Sequence, residues 1–95
     1  MPAYVIAEVN ITNPEGYKAY TALVPATIEQ YGGRFLARGG KAQVLEGDWP
    51  DLRRVIIEFP SAEAARKWWH SPEYQKPKAL RRANSEGRLI LLEGV

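Results

Sequence analysis

The heptapeptide RRVIIEF, residues 53–59, is the stretch that decides the fold. Val55–Ile57 is a run of three β-branched residues, so a strand formed here carries apolar side chains on both of its faces. The closing segment has the same property, because Leu89–Leu92 is also apolar throughout. Two such strands predict a sheet that is apolar on both faces and therefore needs cover on both.

Upstream of this stretch, the sequence predicts a strand and a long helix. The strand covers about Ala3 to Ile11, which is rich in β-branched and aromatic residues. Asn13-Pro14-Glu15 has the composition of a helix start, and an apolar stripe at helical spacing follows it. Pro25 lies within the stripe, so a kinked or split helix is predicted, ended by Gly32-Gly33.

A second, interrupted strand is predicted between the long helix and residues 53–59. Arg34–Arg38 is its first half, and Gly39-Gly40 breaks it. Lys41–Glu46 is predicted to resume the strand. Gly47–Asp51 then has the glycine, aspartate and proline typical of a turn.

After residues 53–59, the sequence predicts two shorter helices and a last strand. Ser61 caps the first helix, and Ser71-Pro72-Glu73 repeats the start signature of the long helix. The helix that follows is predicted to reach about Asn84, with Pro77 weakening its first turns, and the last strand to cover Gly87–Glu93. The order β-α-β-β-α-β is typical of an α+β, ferredoxin-like fold, with the first strand between residues 53–59 and the final strand.

Chain length and the apolar strands together predict a homodimer. The 95 residues form one domain, 1–95, and without cysteine it has no disulfides to supplement a small core. Helices cover one face of a ferredoxin-like sheet, and Tyr4, Ile6 and Ile56 are expected on the other. A second sheet packed against that face would bury them. The alternative is that the final strand is covered by the C-terminus of the same chain.

Composition excludes several classes of function. The net charge of +2 is a mild bias, and no apolar stretch approaches the roughly 20 residues of a membrane span. No signal peptide is evident, so a cytoplasmic protein is expected. The late basic residues form either a solvated helix face or a contact for nucleic acid or an anionic ligand. They are Lys76, Lys78, Arg81, Arg82 and Arg88.

Six segments carry a resemblance that covers the chain nearly from end to end. They are Ala3–Ala7, Tyr31–Gly40, Leu45–Trp49, Ile57–Ser61, Ser71–Tyr74 and Ser85–Arg88. The chain resembles the short bacterial proteins of the family called domain of unknown function thirteen-thirty, in the dimeric α+β-barrel superfamily. The resemblance implies two four-stranded sheets that close into a barrel with the helices outside. It implies no activity, and Pro77 departs from the continuous helix that is usual at that position.

Charged residues on the uncovered sheet face are candidates for a ligand site. Glu8 and Glu58 are expected on the same face of adjacent strands, with Arg34 or Arg38 as the partner. One interpretation is a ligand pocket, with Glu58 as a base of raised pKa and with Tyr4, Glu8 and Arg38 as binding residues. The other is an Arg–Glu network that fixes the register of the dimer.

His70, the only histidine, is the second catalytic candidate, because imidazole is a general base near neutral pH. It would equally suit the C-terminal end of a helix. Trp69 and Tyr74 are candidate ligand-binding residues, with core packing as the alternative. One histidine without cysteine gives no structural zinc site, and no dinucleotide or Walker glycine pattern is present. No metal and no cofactor are therefore expected.

Three functional hypotheses follow. In the first, each subunit of a homodimer binds, or converts without a cofactor, a small organic molecule in a helix–sheet cleft. In the second, the dimer is a non-catalytic structural or interaction module. RNA binding is disfavoured, since Glu8 and Glu58 would repel phosphate on the face where RNA-recognition modules stack bases. No nucleic-acid or membrane partner is expected.

Overall fold

The structure, a computed structural model describing residues 1–95, is a four-stranded antiparallel sheet with three helices on one face. The strands are β1 (Ala3–Ile11), β2 (Arg34–Arg38), β3 (Arg53–Phe59) and β4 (Ser85–Glu93), and the helices are α1 (Pro14–Gln30), α2 (Ala62–His70) and α3 (Pro72–Asn84). The strand order β2-β3-β1-β4 puts β1 between β3 and β4, as predicted. This is the ferredoxin-like α+β fold. The last strand begins at Ser85 rather than at the predicted Gly87.

Side-chain caps set the helix starts at the predicted residues. Asn13, Ser61 and Ser71 each accept a hydrogen bond from a backbone N–H in the first turn of the helix that follows. The Ser71 hydroxyl also donates to the carbonyl of Trp68, at 2.8 Å, where α2 ends. One serine therefore joins the end of α2 to the start of α3 without an intervening loop.

Pro25 does not split α1, so of the two predicted outcomes, a kinked or a split helix, the split is wrong. The helix runs from Pro14 to Gln30 as one element. Proline has no N–H to donate to the carbonyl four residues earlier, that of Thr21. That carbonyl instead accepts a hydrogen bond from Nη2 of Arg38 on β2, at 2.8 Å. An arginine of the sheet thus supplies the donor that the proline lacks. Pro77 is also contained within a continuous helix, α3.

The predicted continuation of β2 through Lys41–Glu46 is wrong. Residues 39–52 form no strand, and Leu45 is 92% exposed. The backbone turns away at Gly39, whose φ is 67°. Since β3 begins only at Arg53, no strand of the same chain is left for residues 41–46 to pair with.

The two faces of the sheet differ in their cover. Alternate residues of β1 and β3 pack under the helices and form the core with Tyr20, Val24, Ile28, Trp68 and Tyr74. The other face, here called the open face, carries Tyr4, Ile6, Ile56, Ile90 and Leu92. The first three are half-buried, whereas Ile90 and Leu92 are 59% and 51% exposed. None of the three helices has the length and apolar composition needed to span a bilayer.

Candidate ligand cleft beside strand β4

A cleft of about 290 Å³ lies between α2 and the edge strand β4. All but one of its lining residues are hydrophobic. They are Val5, Ala65, Trp68, Trp69, Leu89, Ile90 and Leu91, with Arg66 as the exception. This hollow is called the apolar section of the β4 cleft.

A second hollow, of about 340 Å³, continues the first toward α3. Trp69 and Leu89 line both hollows, so the two are neighbours that share these side chains as walls. The remaining walls of the second hollow are Arg81, Arg82, Ser85 and Gly87. It is called the cationic section, and the two sections together form the β4 cleft.

Trp68 is the fixed side chain behind the apolar section. It is fully buried, and its indole N–H donates to Oγ1 of Thr27 at 3.0 Å. The Thr27 hydroxyl donates in turn to the carbonyl of Val24. The Trp68 ring also packs against Tyr74, with the ring centres 4.1 Å apart. These contacts hold the neighbouring Trp69, which is half-buried, in position at the cleft.

Cations surround Trp69 on its α3 side. Nζ of Lys78 lies 4.3 Å from the centre of the Trp69 ring, and the Arg82 guanidinium lies 6.0 Å from it. Lys78 and Arg81 are both buried, and Nε of Arg81 has no hydrogen-bond partner. Burial, together with the nearby charges of Arg82 and Arg81, lowers the pKa of Lys78. None of these three cations forms an ion pair with a carboxylate.

Side chains fill the remaining space between α1 and the sheet. The cavity left there measures about 20 Å³ and is bordered by Tyr17, Tyr20, Arg38 and Arg53, among others. That is about the space of one water molecule. The hydroxyls of Tyr20 and Tyr74 form a hydrogen bond of 3.2 Å. Burial raises the pKa of Tyr20. This aromatic stripe packs the core, so a helix–sheet cleft exists only at the β4 edge.

The open face carries charges that are paired among themselves. Glu8 accepts hydrogen bonds from Nε of Arg54 at 3.1 Å and from Nε of Arg88 at 2.7 Å. The hydrogen bond from Arg88 is the main reason why the pKa of Glu8 is lowered, with Arg54 adding to it and burial opposing it. A carboxylate held in this way is a poor general base. Glu58 accepts from Nε of Arg34 at 2.8 Å.

Glu8 and Glu58 share the open face, as predicted, but they do not form one site. Glu8 lies opposite Arg54 and Arg88 in the strand register, whereas Glu58 lies opposite Tyr4. Each carboxylate has its own arginine. Arg38 does not join them, because it pairs with Val55 in the register and reaches α1 on the helix-covered side.

The remaining predicted site residues fall in different places. Trp69 lines both sections of the β4 cleft. Tyr74 is fully buried behind it, in contact with Trp68 and within 5.8 Å of the Trp69 ring centre. His70 is the last residue of α2, is exposed, and lines no part of the cleft. No three His, Asp or Glu side chains gather as ligands for a metal ion.

The sequence prediction does not include the burial of Lys78 and of the cleft residue Arg81. It grouped them with the exposed Lys76 and Arg82 as one charged helix face. The available signal was spacing, because positions 74, 78, 81 and 85 recur at four, three and four residues and lie on one side of a helix. Tyr74 belongs to that stripe, and the structure buries all four residues.

Solved structures of low sequence identity share the fold. A protein of unknown function from Rhodopseudomonas palustris is 25% identical, with a TM-score of 0.79 over 99% of this chain and 82% of that one. A dimeric ferredoxin-like protein of unknown function from Jannaschia sp. CCS1 is 12% identical, with a TM-score of 0.74 over 99% of this chain and all of the other. SnoaB, a cofactor-independent oxygenase from Streptomyces nogalater, is 17% identical, with a TM-score of 0.69 over 99% and 93% of the two chains.

At 12% and 17% identity, the likeness concerns the fold alone. Among curated proteins, none matches this sequence significantly. The family described as Domain of unknown function (DUF1330) matches residues 2–95, which is nearly the whole sequence. The chain therefore belongs to the DUF1330 family.

Proposed function

We propose that this protein is a homodimer that binds a small organic molecule in the β4 cleft of each subunit. The observation that carries the proposal is the apolar section, an open hollow of about 290 Å³ against Trp69. The rest of the helix–sheet layer is filled by side chains. Apolar walls with one aromatic face and a few polar groups at one end are typical of ligand sites.

The size of the cleft limits the ligand. Ligand pockets usually measure roughly 300–1,000 Å³, and each section of the β4 cleft is at the lower end of that range. A molecule with one or two rings suits this space better than a dinucleotide. The apolar section is lined by no carboxylate and no histidine, so the proposal concerns binding and includes no catalytic step.

The dimer part of the proposal rests on the open face. Tyr4, Ile6 and Ile56 form the middle of an apolar patch on β1 and β3, and Ile90 and Leu92 extend it over β4. Burying apolar surface contributes about 25 cal/mol for each Å², so a second open face is a suitable cover. The Trp49 ring stacks on Arg54 at 5.4 Å and carries the patch into residues 39–52.

Ligand binding is tested by filling the cleft. A thermal-shift screen of naphthalene-sized aromatic and quinone compounds should yield compounds that raise the melting temperature of the wild type. Leu91→Trp should abolish those shifts, because Leu91 lines the apolar section. Leu23→Trp is the matched control, since Leu23 is an exposed leucine of α1 that lines neither section of the cleft, and this variant should keep the shifts. The proposal fails if no compound shifts melting or if Leu91→Trp responds like the wild type.

Self-association is tested separately by light scattering with size-exclusion chromatography. The wild type should elute as a dimer at micromolar concentration. Ile56→Glu places a charge in the middle of the open face and should give a monomer. Leu23→Glu is the matched control, because Leu23 is a partly exposed leucine of α1, in the helix layer, and the variant should stay dimeric. A wild-type monomer would contradict this part of the proposal.

A further inference from the structure

We infer that the ligand of the β4 cleft is a monocarboxylate with an apolar body, whose carboxylate is held in the cationic section by Arg81 and Arg82, with the charge of Lys78 on the Trp69 ring nearby. This inference rests on the proposed function, and it names the chemical class of the ligand. The apolar body would occupy the hollow between α2 and β4. The carboxylate would lie beyond Trp69 and Leu89, the walls that the two sections share.

Arg81 provides the first argument, because it is a buried cation that pairs with no carboxylate. The residue is only 4% exposed, and Nε has no hydrogen-bond partner. A guanidinium stays charged at any pH at which proteins fold, so it cannot avoid this cost by losing a proton. Burying a charge is expensive unless an opposite charge or good hydrogen bonds offset the loss of water. An incoming carboxylate would supply both.

Lys78 provides the second argument. It is 8% exposed, and its ammonium group rests on the Trp69 ring at 4.3 Å instead of on a carboxylate. Arg82 approaches the same ring at 6.0 Å, and Arg81 lines the cationic section together with that ring. Their mutual repulsion helps to lower the pKa of Lys78, although burial is the larger cause. One anion would relieve the repulsion among all three.

The acidic residues closest in sequence to these cations either bind other residues or lie on the other face of the sheet. Glu73, on the same helix, accepts hydrogen bonds from Gln30 and Tyr31 on the α1 side. Glu86 lies opposite Asn10 in the strand register, which places it on the open face. The five ion pairs of the structure leave Lys78, Arg81 and Arg82 out. The protein therefore provides no anion of its own for this section.

The ligand class is tested with a matched pair of probes, 2-naphthoate and 2-naphthamide, which have the same ring system and differ in charge. Each is titrated into the full-length Trp49→Phe protein, so that the fluorescence of Trp68 and Trp69 reports on the cleft. We expect 2-naphthoate to bind at least about tenfold more tightly than the amide. Arg81→Met and Lys78→Met should reduce this preference to less than about threefold while leaving the affinity for the amide within about twofold.

Two further variants keep the test interpretable. Arg82→Met alters an exposed residue and should also weaken the preference, so the inference stays testable if a substitution at a buried position prevents folding. Lys76→Met removes an exposed charge from the same helix, outside the cleft, and should leave the preference unchanged. Equal binding of acid and amide by the wild type would overturn this inference and leave the proposed function intact. Failure of both probes to bind at about 1 mM would count against the proposed function itself.

Discussion

The two faces of the sheet differ in whether their charged side chains have partners of opposite charge. On the open face, Glu8 lies between Arg54 and Arg88, and Glu58 binds Arg34. On the helix-covered side, the buried Arg81 and Lys78 have no carboxylate near them. Charged side chains that pair with one another can serve the fold or an interface. A buried charge without a partner lowers the stability of the protein unless a ligand pairs with it. The contrast distinguishes structural charges from those reserved for a ligand.

The largest expected effect is a gain in stability when the unpaired charge is removed. Arg81→Met keeps most of the side-chain volume and removes a buried cation, so we expect the free energy of unfolding of the ligand-free protein to rise by about 1–3 kcal/mol. Urea unfolding at one fixed protein concentration measures this change. A loss of stability would mean that the protein itself compensates the Arg81 charge, and the comparison between the two faces would fail.

The next effect concerns Arg38, a cation of the helix-covered side that does have a partner. Arg38→Ala should lower the free energy of unfolding by about 0.5–1.5 kcal/mol, because the carbonyl of Thr21 then exchanges a fixed donor for water. In a Pro25→Ala background the new N–H can donate to that carbonyl, and the loss should be smaller. Urea unfolding of the four proteins of this double-mutant cycle gives the coupling energy. Additive effects would show that Arg38 does not replace the hydrogen bond missing at Pro25.

A smaller effect is expected on the open face, where the pKa of Glu8 is held below its ordinary value of 4.5. A lowered pKa in the folded state means that the Glu8 carboxylate contributes stability above about pH 4.5, and that this contribution is lost as the pH falls through the folded pKa. Glu8→Gln should therefore be less stable than the wild type at pH 7 and lose less stability on acidification.

Urea midpoints at pH 7 and at about pH 3 test this acid limb. Glu15→Gln, which alters an exposed helix pair with Lys18, is the matched control and should keep the acid dependence of the wild type. If Glu8→Gln and the wild type lose equal stability on acidification, the ion pairs of Glu8 with Arg54 and Arg88 do not stabilise the folded protein.

The smallest effect provides the baseline for the comparison. Lys67 pairs with Glu63 one turn away on α2, and both side chains are mostly exposed. Lys67→Ala should change the free energy of unfolding by no more than about 0.5 kcal/mol, because water and salt screen such a pair. A larger loss in the same urea assay would show that exposed charges also stabilise this fold, and the other changes would have to be measured against that value.

Most of the fold was predictable because its signals are local. Cap residues and prolines mark the starts of α1, α2 and α3, and β-branched runs mark β1 and β3. The errors arose where a distant residue decides the outcome. The split predicted at Pro25 does not occur, and the carbonyl that Pro25 leaves without a helical donor accepts a hydrogen bond from Arg38, a residue of the sheet. Lys41–Glu46 has strand-like composition, but the chain offers no neighbouring strand for it.

The candidate site was less predictable, because it depends on register and on burial. Parity correctly put Glu8 and Glu58 on one face, and Arg34 was correctly named as a partner of Glu58. The partners of Glu8 are Arg54 and Arg88, which the sequence did not indicate, since cross-strand alignment has no local signature. Trp69 is a predicted ligand residue and lines the cleft, whereas the burial of Arg81 had only the spacing of residues 74, 78, 81 and 85 as its signal.

The edge strand β4 has a consequence for how this family can vary. Leu89 and Leu91 line the cleft, while Arg88 and Leu92 on either side of them belong to the open face. Ile90, between the two leucines, belongs to the open face and also borders the cleft. At the other four positions, substitutions can therefore alter ligand choice and self-association one at a time. A change of length is different: α3 ends at Asn84 and β4 begins at Ser85, so no loop exists to absorb an inserted or deleted residue. Such a change would move every side chain of β4 to the opposite face of the sheet. Other members of the family should therefore differ from this chain in the identity of the β4 residues but not in the number of residues between α3 and β4.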